Sequence, residues 1–227
     1  MLCPLISSTF CSKVQPVAAR KSYGQFCGLA RSLDRVGDRW TLLIVRELLL
    51  GDRTFRDLQT ALDGISPSLL TQRLTELADD GLVVRNQAPR RSKSVEYRLT
   101  DAGRSLEPVI IELIRWGSRW MVHGPGDDQI DPRWAPLALR ALLEGRPSRR
   151  GRIHLDVDGV EVTVAGSARG RRVRPGHDGR PNATVAAPLP VVLAIGADAM
   201  TLQSSGARLS GDGGIASELL SARGGPS

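Results

Sequence analysis

Between Leu29 and Leu77 apolar residues recur at helical spacing in four short runs, and Gly37, Gly51, Gly64 and Gly81 close them in turn. Each run allows only two to four helical turns, so this stretch folds as a cluster of short helices. In the second run Trp40, Leu43, Ile44, Glu47 and Leu48 share one buried face. Thr54 opens the third as a cap, with Asp57 three positions on and Phe55, Leu58 and Leu62 facing inward. Ser66-Pro67 opens the fourth with a capping hydroxyl and a proline at the first helical position, and Leu70, Leu74 and Leu77 bury one side. After Gly81 the period changes from helical to alternating. Leu82-Val83-Val84 and Val95 to Leu99 read as two strands of a hairpin tipped by Ala88-Pro89-Arg90-Arg91-Ser92-Lys93. Thr100 then caps one long helix to about Met121, with Leu106, Val109, Ile110, Leu113 and Trp116 or Trp120 on its stripe.

Helix, tight turn, helix and cation-tipped hairpin is the order of a winged helix-turn-helix. The fourth helix has the two faces a DNA reader needs, one apolar to dock and one short and polar to enter a major groove about 12 Å wide. At roughly 100° per residue, the face opposite Leu70, Leu74 and Leu77 centres on Ser68, Gln72 and Glu76, with Ser66 at the helix start. Gln72 suits a bidentate bond to adenine. Thr71 and Arg73 flank that face, Arg53 and Arg56 precede it, and Arg90, Arg91 and Lys93 tip the wing; these suit phosphate contacts, which position the protein without specifying sequence.

Tyr23-Gly24-Gln25-Phe26-Cys27, Gly37 to Ile44, Gly64-Ile65-Ser66-Pro67, Leu74-Thr75-Glu76-Leu77 and Val95 to Thr100 resemble the HxlR family of bacterial regulators, over about Tyr23 to Trp120. The resemblance implies a cytoplasmic homodimer joined through the first and last helices. It also implies a partly palindromic double-stranded DNA operator read by two helices about 34 Å apart. Some members use a cysteine at the position of Cys27 to sense oxidants or electrophiles. Arg31, one turn on, would help by lowering the thiol pKa, whereas the plainer reading makes Cys27 a small buried hydrophobe.

The net charge of +7 suits a polyanionic partner, and all cationic residues but Lys13, Lys21 and Lys93 are arginine, a bias of GC-rich bacterial genomes. Cys3, Cys11 and Cys27 form neither a CxxC pair nor an even set, which disfavours disulfide scaffolds and zinc sites. No metal or cofactor is expected. No apolar run approaches the roughly 20 residues of a membrane span, so no membrane partner is expected. Residues 1–22 read as a disordered lead-in or the product of a start codon placed too far upstream.

The organisation expected is a mainly α winged helix-turn-helix domain over 23–124, a linker over 125–132, a smaller α+β domain over 133–222 and a tail over 223–227. In the second half, Asp158-Gly159 between two alternating runs marks a hairpin. Further strands are expected near 169–174, 183–186 and 207–210, and helices near 134–143, 188–199 and 215–222. Arg169, Arg171, Arg172 and Arg174 are expected on a solvated edge strand, with contact to an anionic ligand or to DNA as the other possibility. The layout is similar to sterol-carrier-protein-type domains, which implies an apolar cavity and a lipid-like or other apolar small-molecule effector; the plainer reading is a dimer-stabilising half. His123, His154 and His177 fit no catalytic or metal-ligand spacing, and no phosphate loop is present. The expected function is therefore regulation of transcription rather than catalysis, with a lipid-binding protein carrying a vestigial DNA domain as the rival.

Overall fold

The short helices form where the caps and glycines place them. In the computed structural model, which describes residues 22–87, 95–121 and 124–221, the first part contains α1 (Gly28–Val36), α2 (Thr41–Leu49), β1 (Arg53–Thr54), α3 (Phe55–Ala61), α4 (Pro67–Asp79), β2 (Val83–Gln87), β3 (Val95–Leu99) and α5 (Asp101–Arg104). Thr54 and Asp57 make a reciprocal capping box at α3. Ser66 Oγ accepts from Leu69 N at α4, with Pro67 in the first turn. At the other end of α4, Gly81 takes φ +68°. Its N–H donates to Ala78 O while Leu82 N–H reaches Leu77 O, a Schellman closure that turns the chain into β2. Ile44, Val45, Leu48, Leu58, Leu62, Leu70, Leu74 and Leu77 fill this core.

Two features depart from expectation. β1 pairs Arg53 with Tyr97 and Thr54 with Glu96, making a three-stranded antiparallel sheet ordered β1-β3-β2. A two-residue strand shows no alternation, so no periodicity could reveal it. The stretch read as one long helix is broken: α5 ends at Arg104, α6 spans Glu107–Gly117, and a 3₁₀ turn occupies Ser118–Trp120. Pro108 has no N–H for the carbonyl four residues back, but fits the first turn of a new helix. Gly103 holds α5 against the strand, since a Cβ there would lie 2.1 Å from Leu82 O. Packing divides the chain at this break, between Leu106 and Glu107.

The second part adds α7 (Ala135–Leu143), β4 (Gly151–Val157), β5 (Val160–Gly166), β6 (Arg172–Pro175), β7 (Ala183–Ala186), α8 (Leu189–Gly196), β8 (Arg208–Gly211) and α9 (Gly213–Leu220) to α6. Its sheet runs β6-β5-β4-β7-β8, with β4 and β7 parallel and the other pairs antiparallel. Asp158 and Gly159 take φ +50° and +85°, the left-handed pair that a two-residue hairpin turn requires. One sheet face packs under the helices. Leu139, Leu143, Ile153, Leu155, Val162, Val164, Val192 and Leu219 are buried there, in the space where the sterol-carrier likeness implied a cavity. β6 is an edge strand, as expected, but starts at Arg172. Alternation turns Arg171 inward beside Val173; it is 1% exposed and Nη1 donates to Ser221 O, so Arg171 is no solvated edge residue.

Candidate nucleic-acid interface

α3 and α4 form a helix-turn-helix across Leu62 to Ser66, where Gly64 at φ +85° lets the chain reverse and Ile65 is buried. Because Leu70, Leu74 and Leu77 anchor α4, its opposite face is left to solvent. Ser66, Ser68, Thr71, Gln72 and Thr75 are exposed along it, and Arg73 and Glu76 are half-buried at its margin. The hydroxyls of Thr71 and Thr75 donate to Pro67 O and Thr71 O, each at 2.9 Å, leaving their lone pairs and methyls outward. Ser66 and Ser68 hydroxyls lie 3.2 Å apart. Gln72 Nε2 donates to Glu76 Oε1 at 3.0 Å, which orders the amide before anything binds.

Glu76 places a negative charge on a face meant for a polyanion, and Arg73 counters it. Arg73 Nη1 lies 2.5 Å from Glu76 and 2.6 Å from Asp38 in the turn before α2. Its charge is thus already met within the fold, and it fastens α4 to the rest of the core. Arg56 is exposed on α3, while Arg53 is half-buried with its Nε lacking an acceptor. The wing tip residues Arg90, Arg91 and Lys93 lie outside the described residues. The strands leading to the tip expose two further cations, Arg85 and Arg98, which the sequence reading passed over. Their signal was present: each sits beside an apolar position of a half-buried alternating strand.

Cys27 is the N-cap of α1 and is exposed, not buried. The backbone N–H groups of Ala30, then Leu29, favour the thiolate and hold its pKa below the usual cysteine value, although neither makes a full capping hydrogen bond. Arg31 plays no part, because its guanidinium turns to Asp34 at 3.5 Å and Ser22 at 3.4 Å. Among the described residues no group of His, Cys, Asp and Glu is arranged to hold a metal ion, and no helix is long and apolar enough to cross a membrane.

Residues 35–125 match the HxlR-like helix-turn-helix family. The HTH-type transcriptional regulator YvaP of Bacillus subtilis, itself uncharacterized, is 36% identical over 91 residues, covering 40% of this chain and 84% of that protein. The chain belongs to the HxlR-like helix-turn-helix family. The HTH-type transcriptional regulator Rv3095 of Mycobacterium tuberculosis, also uncharacterized, is similar at 41% identity over 49% of this chain and 65% of that protein. Among solved structures, the reduced form of the transcriptional regulator YodB from B. subtilis is similar at 30% identity, over 44% of this chain and 99% of that one, with a TM-score of 0.38. The family match ends near residue 125, so it covers the helix-turn-helix and α6 but not the five-stranded sheet.

Proposed function

We propose that this HxlR-like chain is a sequence-specific, DNA-binding regulator of transcription that works as a homodimer. The observation that carries the reading is the two-sidedness of α4. Its apolar side is fixed in the core, and its outer side offers short polar groups at Ser68, Thr71, Gln72 and Thr75 within a family helix-turn-helix. In this reading Gln72 reads a base edge, while Ser66, Arg56, Arg85 and Arg98 and the wing tip at Arg90, Arg91 and Lys93 meet phosphates. Arg73 and Glu76 hold α4 in place rather than touching DNA, and Arg53 supports the base of the wing.

Exposed apolar side chains support the dimer. Tyr23, Phe26, Leu29 and Leu33 are exposed at and before α1, and Val109, Leu113, Trp116 and Trp120 along α6 and the turn after it. Surfaces of that kind are normally covered, and a second copy supplies the cover. Binding of the full chain to its own upstream region, followed by fluorescence anisotropy at two salt concentrations against excess competitor DNA, tests the function. Retained preference with a steep salt dependence supports it; equal affinity for any duplex defeats it.

An oxidant or electrophile response through Cys27 is the effector arm that exposure and the N-cap position favour. Diamide should change operator affinity of the native chain and leave Cys27→Ser unaffected; an equal change in both removes Cys27 from the account. An apolar effector in the second half would have to open the packed space beneath α7, α8 and α9, and the vestigial-domain alternative finds no support in that packing.

A further inference from the structure

The outer face of the five-stranded sheet, away from the helices, holds a small recess whose position follows from register. Arg152 on β4, Ala165 on β5 and Arg172 on β6 pair in one row, and His154, Thr163 and Arg174 in the next. Adjacent strands lie about 4.8 Å apart, so two long guanidinium arms flank an alanine too small to fill the gap between them. The recess of about 110 Å³ is lined by Arg152, Thr163, Ala165, Arg172, Arg174 and Asp178.

The loop following β6 straps over one side of it. Thr163 Oγ1 donates to Gly176 O at 2.8 Å and accepts from Asp178 N at 3.0 Å. The rings of His154 and His177 stack 4.3 Å apart and bond to the carbonyls of Asp178 and Leu155. Gly179 lies so close to Arg152 that a Cβ there would sit 1.7 Å from Nη1, which confines the guanidinium.

The charges do not balance within this site. Arg174 meets Asp178 only at 3.8 Å. Among the described residues the guanidiniums of Arg152 and Arg172 make no ion pair, and Arg152 Nε is buried without an acceptor. Like charges crowded on one sheet face are unfavourable, and a buried donor without a partner costs free energy. The crowding of like charge is relieved by one oxyanion that accepts from the ends of the guanidiniums, whose planar forks match phosphate geometry.

We propose that this recess binds a small phosphate-class oxyanion, free inorganic phosphate or the phosphate group of a small metabolite, through Arg152, Arg172 and Arg174. Its size and strap admit a single anionic group, and the three arginines outnumber the one carboxylate of Asp178 in the lining.

Isothermal titration of the full chain with inorganic phosphate, against sodium chloride at equal ionic strength, tests the site. Saturable one-to-one binding is expected, weakened about tenfold or more in Arg172→Gln. Ala165→Leu fills the recess while keeping every charge and should abolish binding; an unchanged melting temperature and circular dichroism spectrum show that each variant is folded. No saturable heat, or equal binding in both variants, overturns the proposal. Duplex DNA binding weakened by Ala165→Leu, with no response to phosphate, also overturns it, assigning the arginines to a nucleic-acid backbone instead.

Discussion

Gln72 and Arg56 are both exposed polar residues of the helix-turn-helix, yet they answer to different physics. Gln72 presents an amide that Glu76 already orients, so Gln72→Ala should reduce discrimination between operator and competitor by about 1–3 kcal/mol with little change in salt slope. Arg56→Ala should weaken binding to every duplex and lower the slope by about one. Competition anisotropy across a salt series separates the two, and matching effects would contradict the assignment. In the second part, Arg149 N donates to Glu218 Oε1 at 2.7 Å and its guanidinium lies 2.5 Å from Oε2. The Arg149 backbone N–H, the largest influence, together with the Arg149 side chain holds the Glu218 carboxyl below the ordinary glutamate value, against burial, which pushes it up. A carboxyl depressed in the folded state contributes stability above its unfolded pKa, and that contribution is lost as pH falls through the folded pKa. Glu218→Gln should therefore destabilise at pH 7 and lose that effect under acid, as urea unfolding at both pH values would show.

The elements divide by how locally they are determined. Ser66 caps α4 through its Oγ, which accepts from Leu69 N; Ser66→Ala should cost about 1 kcal/mol in chemical unfolding, and no loss would mean that Pro67 alone sets the helix start. Such caps, together with Gly64, Gly81 and the Asp158-Gly159 turn, act within a few residues, which is why α3, α4 and the β4–β5 hairpin could be read from the sequence. β1 could not, because two residues become a strand only when β3 lies beside them. The α5–α6 break was signalled by Pro108, but the apolar stripe through Leu106, Val109 and Ile110 masked it. Arg171 was misplaced for a related reason. Four arginines within six residues read as a surface, and only the strand phase set by Val173 shows that one of them points inward. In the candidate interface the composition of the polar face was legible, while the engagement of Arg73 by Asp38 depended on a contact 35 residues away in sequence.

At the scale of the whole molecule the chain joins a family helix-turn-helix to a second packed unit, of which the family match reaches α6 but not the five-stranded sheet. Trp116 and Trp120 stack edge to face, 4.6 Å apart, and are both exposed, an apolar display that a second copy would cover. Sedimentation equilibrium should show a dimer, and Trp116→Glu combined with Trp120→Glu should shift it to monomer with loss of operator binding; an unaltered dimer would move the interface elsewhere. The central claim is that paired α4 helices read base sequence. Selection of binding sites from a random duplex library by the full chain tests it most directly. The account predicts enrichment of two inverted half-sites with centres about one helical turn apart, and recovery of unenriched sequence at physiological salt would contradict it.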